Sequence, residues 1–156
     1  MEVYLVRHGQ AKPETLEPAQ SLSEGGREEV ERVARHAAAL GLRVAQIRHS
    51  RKLRARETAE ILAAHLAPAR GLQEADGLAP EDDPAAARQV LEEAHDPLLL
   101  VGHLPHLSRL ASALLVGDAG KEILRFGNAS LVCLGRTDGG WRVDWLLTPS
   151  LAAPHD

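Results

Sequence analysis

Aromatic residues are scarce in this chain: one Phe, one Tyr and two Trp make up 3% of its 156 residues. A core without large rings has to be assembled from Leu, Val and Ala. Cysteine occurs once, at Cys133, which excludes an internal disulfide. Its place in an apolar run that reads as a strand marks it as a buried core thiol. There is no excess of positive charge, since the formal net charge is -4, which gives no support to a nucleic-acid or membrane-surface partner. Any handling of anions must therefore depend on a local cluster of cations. No apolar run approaches a membrane span, and the run that starts at Met1 is too short for a signal peptide, so the cytoplasm is the expected compartment.

What remains is ordinary for a globular protein, with 44% hydrophobic and 26% charged residues. The length suits one domain, expected over residues 1–150 with a short C-terminal tail at 151–156. Residues 2–6 are β-rich and end at Arg7-His8-Gly9, which reads as a first strand. Residues 10–22 hold two prolines and little periodicity, a loop. Ser23 is placed to cap a helix whose apolar face is Val30, Val33, Ala34, Ala37 and Leu40, with Gly41 as its stop. A short strand at 44–47 leads through His49-Ser50 to a second helix lined by Ala55, Ala59, Leu62 and Leu66. Residues 71–84 are acidic and read as a surface loop, followed by a helix over 84–94.

Leu98-Leu99-Leu100-Val101 is a continuous apolar run ahead of Gly102, as suits a strand covered on both faces. A helix over 105–116 follows, and then strands at 130–135 and 141–147 around the turn Thr137-Asp138-Gly139-Gly140. The expected fold is α/β: a single three-layer domain, its sheet mostly parallel with helices on both faces and a C-terminal hairpin. Ligands of such sheets collect beyond the carboxyl ends of the strands. Those ends deliver His8, His49 and His103 to one edge, with Arg7 and Arg54 beside them.

Three motifs then stand in order. Leu5-Val6-Arg7-His8-Gly9 resembles the Arg-His-Gly signature of the histidine phosphatase superfamily. The run from Ser50 through Arg54 and Ala55 to Thr58-Ala59 resembles its second motif, and Leu100-Val101-Gly102-His103-Leu104-Pro105 its third. The resemblance implies a phosphoglycerate mutase-like fold and a phosphatase that needs no cofactor or metal. It makes His8 the nucleophile, with Arg7, Arg54 and His103 as catalytic partners around the phosphate. Substrate contacts would come from Arg7, Gly9, Arg54, His103 and Leu104. The chemistry agrees, because a phosphoryl group in transfer spreads charge over three oxygens that fixed cations stabilise. Arg7 and Arg54 should also lower the pKa of His8 and keep it neutral. Thr58 and Ser50 read as capping or orienting residues.

The stretch from Thr58 to Leu98 is too short for the large insert that covers the site in mutase-type relatives. Arg7-His8-Gly9-Gln10-Ala11 and Leu78-Ala79-Pro80 look like the small bacterial phosphohistidine phosphatases of the SixA type. Their position for a proton-donating acid falls near Gly77, leaving Glu81, Asp82 and Asp76, with Glu74 and Asp83, as candidates by proximity. A missing acid suits a P–N bond or an activated ester. The expected partner is a phosphorylated protein, such as a histidine phosphotransfer domain. The alternatives are a phosphatase of a small sugar-phosphate or nucleotide-like ester and a non-catalytic phosphate-binding module. A zinc site built from His8, His49, His103 and His106 is disfavoured by their spacing.

Overall fold

The computed structural model describes residues 1–152; most of the expected C-terminal tail, residues 153–156, lies outside the described residues. Ala152 is buried in the core. The chain forms β1 (Glu2–Arg7), α1 (Glu24–Ala39), β2 (Gln46–His49), α2 (Leu53–Leu66), β3 (Leu72–Glu74), α3 (Ala85–Glu93), β4 (Leu98–Gly102), α4 (His106–Val116), β5 (Leu131–Thr137) and β6 (Gly140–Leu147). The strands make one sheet in the order β3-β2-β4-β1-β5-β6. β1 to β4 run parallel, and β5 and β6 are antiparallel. This is the expected α/β architecture with its C-terminal hairpin.

Period-two alternation explains the three layers. Tyr4 and Val6 of β1, with Leu99 and Val101 of β4, face the core covered by α1 and α2. Val3 and Leu5, with Leu98 and Leu100, face the opposite core under α3 and α4. Every residue of β4 is buried, as its unbroken apolar run requires. Ser23 caps α1 by accepting the Gly26 N–H, and Gly41 lies at φ 75° just beyond the helix.

Three details differ from the sequence expectations. Leu40 is not on the apolar face of α1; it is the C-cap and 57% exposed, because the chain leaves the helix there. The second strand lies at Gln46–His49 rather than 44–47, since its register is set by pairing with Leu98 to Val101 of β4. The stretch read as a loop contains an edge strand, β3, whose three residues are all exposed and so carry no hydrophobic pattern.

Candidate active site

Parallel strands finish at the same edge, and here β1, β2 and β4 finish beside one another. The His8 N–H donates to the Gly102 carbonyl (3.0 Å), which ties the exit of β1 to β4. The next N–H, of Gly9, donates to Thr58 Oγ1 (3.0 Å), and the Thr58 hydroxyl donates to the Arg54 carbonyl (2.8 Å). One side chain thus links the β1 exit to the first turn of α2. A Cβ on Gly9 would stand 2.7 Å from Val30 Cγ2 and 3.1 Å from the Gly26 carbonyl, so only glycine lets this turn lie against α1. With its N–H committed to Thr58, the Gly9 backbone positions the turn.

His8 is buried, and its Nδ1 lies 2.6 Å from the Gly9 carbonyl. A carbonyl only accepts, so Nδ1 carries the proton and Nε2 keeps its lone pair. The His103 ring is 5.0 Å away, centroid to centroid. Its Nε2 lies 2.6 Å from Ser50 Oγ, and its Nδ1 is buried with no partner. Arg7 donates from Nη1 to the Phe126 carbonyl (2.9 Å), while the Ala129 N–H and Asn128 Nδ2 donate to the His8 carbonyl (both 3.2 Å). Arg54 stands in the first turn of α2, close enough for its charge to act on both histidines.

Electrostatics keep both rings neutral. Burial pushes the His8 pKa down to about 4; the Gly9 carbonyl opposes this, and Arg54 and Arg7 add to it. Desolvation therefore leads over the arginine charges that sequence reasoning had singled out. His103 is pushed down to about 3 by burial first, then by His8, Arg54, Lys52 and His106. His106, at the start of α4, is fully buried and its pKa is lowered by burial. Cys133 is wholly buried in β5 and its thiol is pushed up to about 12, mainly by desolvation. Such a thiol is inert.

The acidic candidates stand elsewhere. Asp76 is 82% exposed and pairs with Arg51 (2.8 Å), which Glu74 also faces at 4.0 Å. Asp82 accepts the Ala79 N–H and Asp83 the Ala85 N–H, holding the turn before α3. Glu81 faces Arg109 at 4.0 Å. The side-chain charges that act on His8 are those of Arg54 and Arg7, and those of Asp82 and Asp83 act on His106. His49 is buried at the end of β2 with Nδ1 on the Ser50 carbonyl (2.8 Å). Leu104 follows His103 and lines a groove together with Arg7.

Sequence reasoning did not single out Lys52, Phe126, Asn128 or Ala129. Phe126 and Ala129 contribute backbone groups, which leave no mark in residue identity. Asn128 lies outside the three motifs, and nothing in the sequence marks it.

Known proteins share this arrangement of elements. The profile of the histidine phosphatase superfamily (branch 1) matches residues 3–81, half of the chain. An uncharacterised protein of Picosynechococcus sp. is 39% identical over 131 residues, covering 79% of this chain and 78% of its own. The protein histidine phosphatase SixA, solved with tungstate, superposes with a TM-score of 0.85 at 21% identity over 96% of this chain and 98% of that one. A mycobacterial glucosyl-3-phosphoglycerate phosphatase gives 0.74 at 19% identity over 92% and 96%. At such identities the two structures speak for the fold, which is phosphoglycerate mutase-like. The profile spans half of the chain and the fold agrees with it: the chain belongs to the histidine phosphatase superfamily.

Proposed function

We propose that this protein is a phosphatase that removes the phosphoryl group from phosphohistidine on a protein, passing it through His8. The observation that carries the reading is the state of His8: neutral, Nδ1 tied to the Gly9 carbonyl, Nε2 free, with Arg7, Arg54 and His103 around it. Nε2 attacks phosphorus, forming a P–N bond while the bond to the substrate imidazole breaks. That imidazole, protonated on its other nitrogen, takes the electron pair and leaves neutral. Water then attacks phosphorus, the His8 P–N bond breaks, and phosphate departs with His8 restored.

Arg7 and Arg54 would hold the equatorial oxygens. His103 would supply its Nδ1, a buried group whose missing partner a phosphoryl oxygen provides. The cations do the electrostatic work, and activity without a metal is part of the proposal. The substrate class rests on the carboxylates. Glu74, Asp76, Glu81, Asp82 and Asp83 are engaged in ion pairs and turns, which suits a leaving group that needs no acid. The short connection between α2 and β4, holding only β3 and α3, supports a site that would admit a protein side chain.

A small phosphate ester is the second reading, supported by likeness to a phosphatase named for glucosyl-3-phosphoglycerate. A panel of phosphohistidine peptide, aryl phosphate and alkyl phosphates separates the two. Phosphohistidine and aryl phosphate should exceed alkyl phosphates by about 10²–10⁴-fold, the usual worth of general acid assistance. Equal turnover of alkyl phosphates would overturn the phosphohistidine assignment.

A further inference from the structure

The phosphate pocket is not the end of the cationic surface. From Arg7 and Leu104 a groove of roughly 770 Å³ runs between the start of α4 and the segment 119–127. Its walls carry Arg7, Arg109, Lys121 and Arg125 against one carboxylate, Glu122. That is an excess of three positive charges on a chain whose net charge is -4. The groove is fixed to the site, because Ser108 Oγ donates to the Leu124 carbonyl (2.8 Å) and Arg7 Nη1 to that of Phe126 (2.9 Å). The same segment therefore holds the arginine of the phosphate pocket and forms the groove wall.

Its cations are weakly neutralised from within. Arg109 meets Glu81 only at 4.0 Å, Arg125 pairs with Glu122 at 3.3 Å with an 81% exposed side chain, and Lys121 makes no salt bridge among the described residues. Exposed pairs of this kind contribute little and leave the charge available to a partner. The volume is that of a small-ligand cleft, but beyond Arg7 its charges, on Arg109, Lys121 and Arg125, sit on long, exposed side chains. That suits carboxylates presented along a polypeptide better than one compact anion.

We propose that this groove seats acidic side chains flanking the phosphohistidine of the protein substrate, and so selects among phosphoproteins. The proposal rests on the substrate reading above. Charge complementarity of this sort acts mainly on encounter and affinity, so its effect belongs in KM.

The test uses one phosphohistidine peptide with acidic, neutral or basic flanks, together with an aryl phosphate. The parent should favour acidic over neutral flanks by about tenfold in kcat/KM, carried by KM, as two or three exposed pairs would give. Lys121→Glu/Arg125→Glu should erase that preference while leaving the neutral peptide and the aryl phosphate within about twofold. Glu122→Lys should widen it. Equal use of all flanks by the parent overturns the groove assignment and leaves the phosphohistidine reading standing. Equal losses on every substrate in the double variant overturn it as well. If no phosphohistidine peptide reacts, and a small ester with a second anionic group depends on Lys121 and Arg125, both the substrate reading and the acidic-flank proposal fall.

Discussion

Thr58 makes two hydrogen bonds, and each end matters to a different part of the site. Its Oγ1 accepts from Gly9 and donates to the Arg54 carbonyl. Thr58→Val keeps the shape but leaves the buried Gly9 N–H unpaired, at an expected loss of about 1–3 kcal/mol in urea unfolding. Turnover should fall as well, and Thr58→Ser should restore most of both. Arg54→Gln should leave stability nearly unchanged and lower kcat by about 10²–10³, the typical worth of one oxyanion donor. The two neutral histidines also predict how stability depends on pH. Both folded pKa values, about 4 for His8 and about 3 for His103, lie below the ordinary 6.5. The unfolded chain therefore binds protons first as pH falls, and stability is lost from about 6.5 downward. Between pH 7 and pH 5 each ring should cost about 2 kcal/mol. Urea titrations should show a shallower pH dependence in His103→Gln; an unchanged slope would contradict the buried neutral ring.

Within α1, two neighbouring glycines behave oppositely. A Cβ at Gly26 would stand 2.1 Å from the Gln10 carbonyl oxygen, whereas one at Gly25 meets nothing closer than 3.9 Å. Alanine in a helix is normally worth up to about 1 kcal/mol over glycine. Gly25→Ala should therefore raise the melting temperature. Gly26→Ala should lower it and, by pushing Gln10 and the His8 turn away, reduce turnover; a stabilised Gly26→Ala would refute that packing. Elements with one dominant pattern were legible in sequence. β4 declares itself by an unbroken apolar run, α1 by its cap, its face and Gly41, and the β5–β6 hairpin by Asp138-Gly139 between paired Thr137 and Gly140. β3 was not legible because an exposed edge strand of three residues carries no alternation. β2 was displaced because its two apolar residues at 44 and 45 sit before the strand, and pairing with β4 decides its bounds.

At the scale of the whole molecule, the parallel arrangement of β1, β2 and β4 turns scattered sequence motifs into one edge. Spacing along the chain says little about distance, yet strand direction alone brings His8 and His103 to 5.0 Å. The motif residues were readable for that reason. The supports from 126–130 were not, since they act through carbonyls and amides whose reach depends on how the segment after α4 returns to β1. No described helix is long and apolar enough to cross a membrane. The fold also bears on proton supply, because it directs the acidic residues of 74–83 toward Arg51, Arg109 and the turn before α3. Glu74→Gln, Asp76→Asn, Glu81→Gln, Asp82→Asn and Asp83→Asn should each leave phosphohistidine turnover within a few-fold of the parent, far short of the 10²–10⁴-fold of a lost general acid. A variant that loses alkyl-phosphate turnover while sparing aryl phosphates would identify that residue as the acid.

Transfer of the phosphoryl group to His8 is the step on which everything else depends, and rapid quenching of the protein with radiolabelled aryl phosphate would trap it. An acid-labile, base-stable phosphoenzyme should form, its label mapping to His8, unchanged after prolonged chelation and absent from His8→Ala. Label on Ser50 or Cys133, or turnover by His8→Ala at the parent rate, would contradict it.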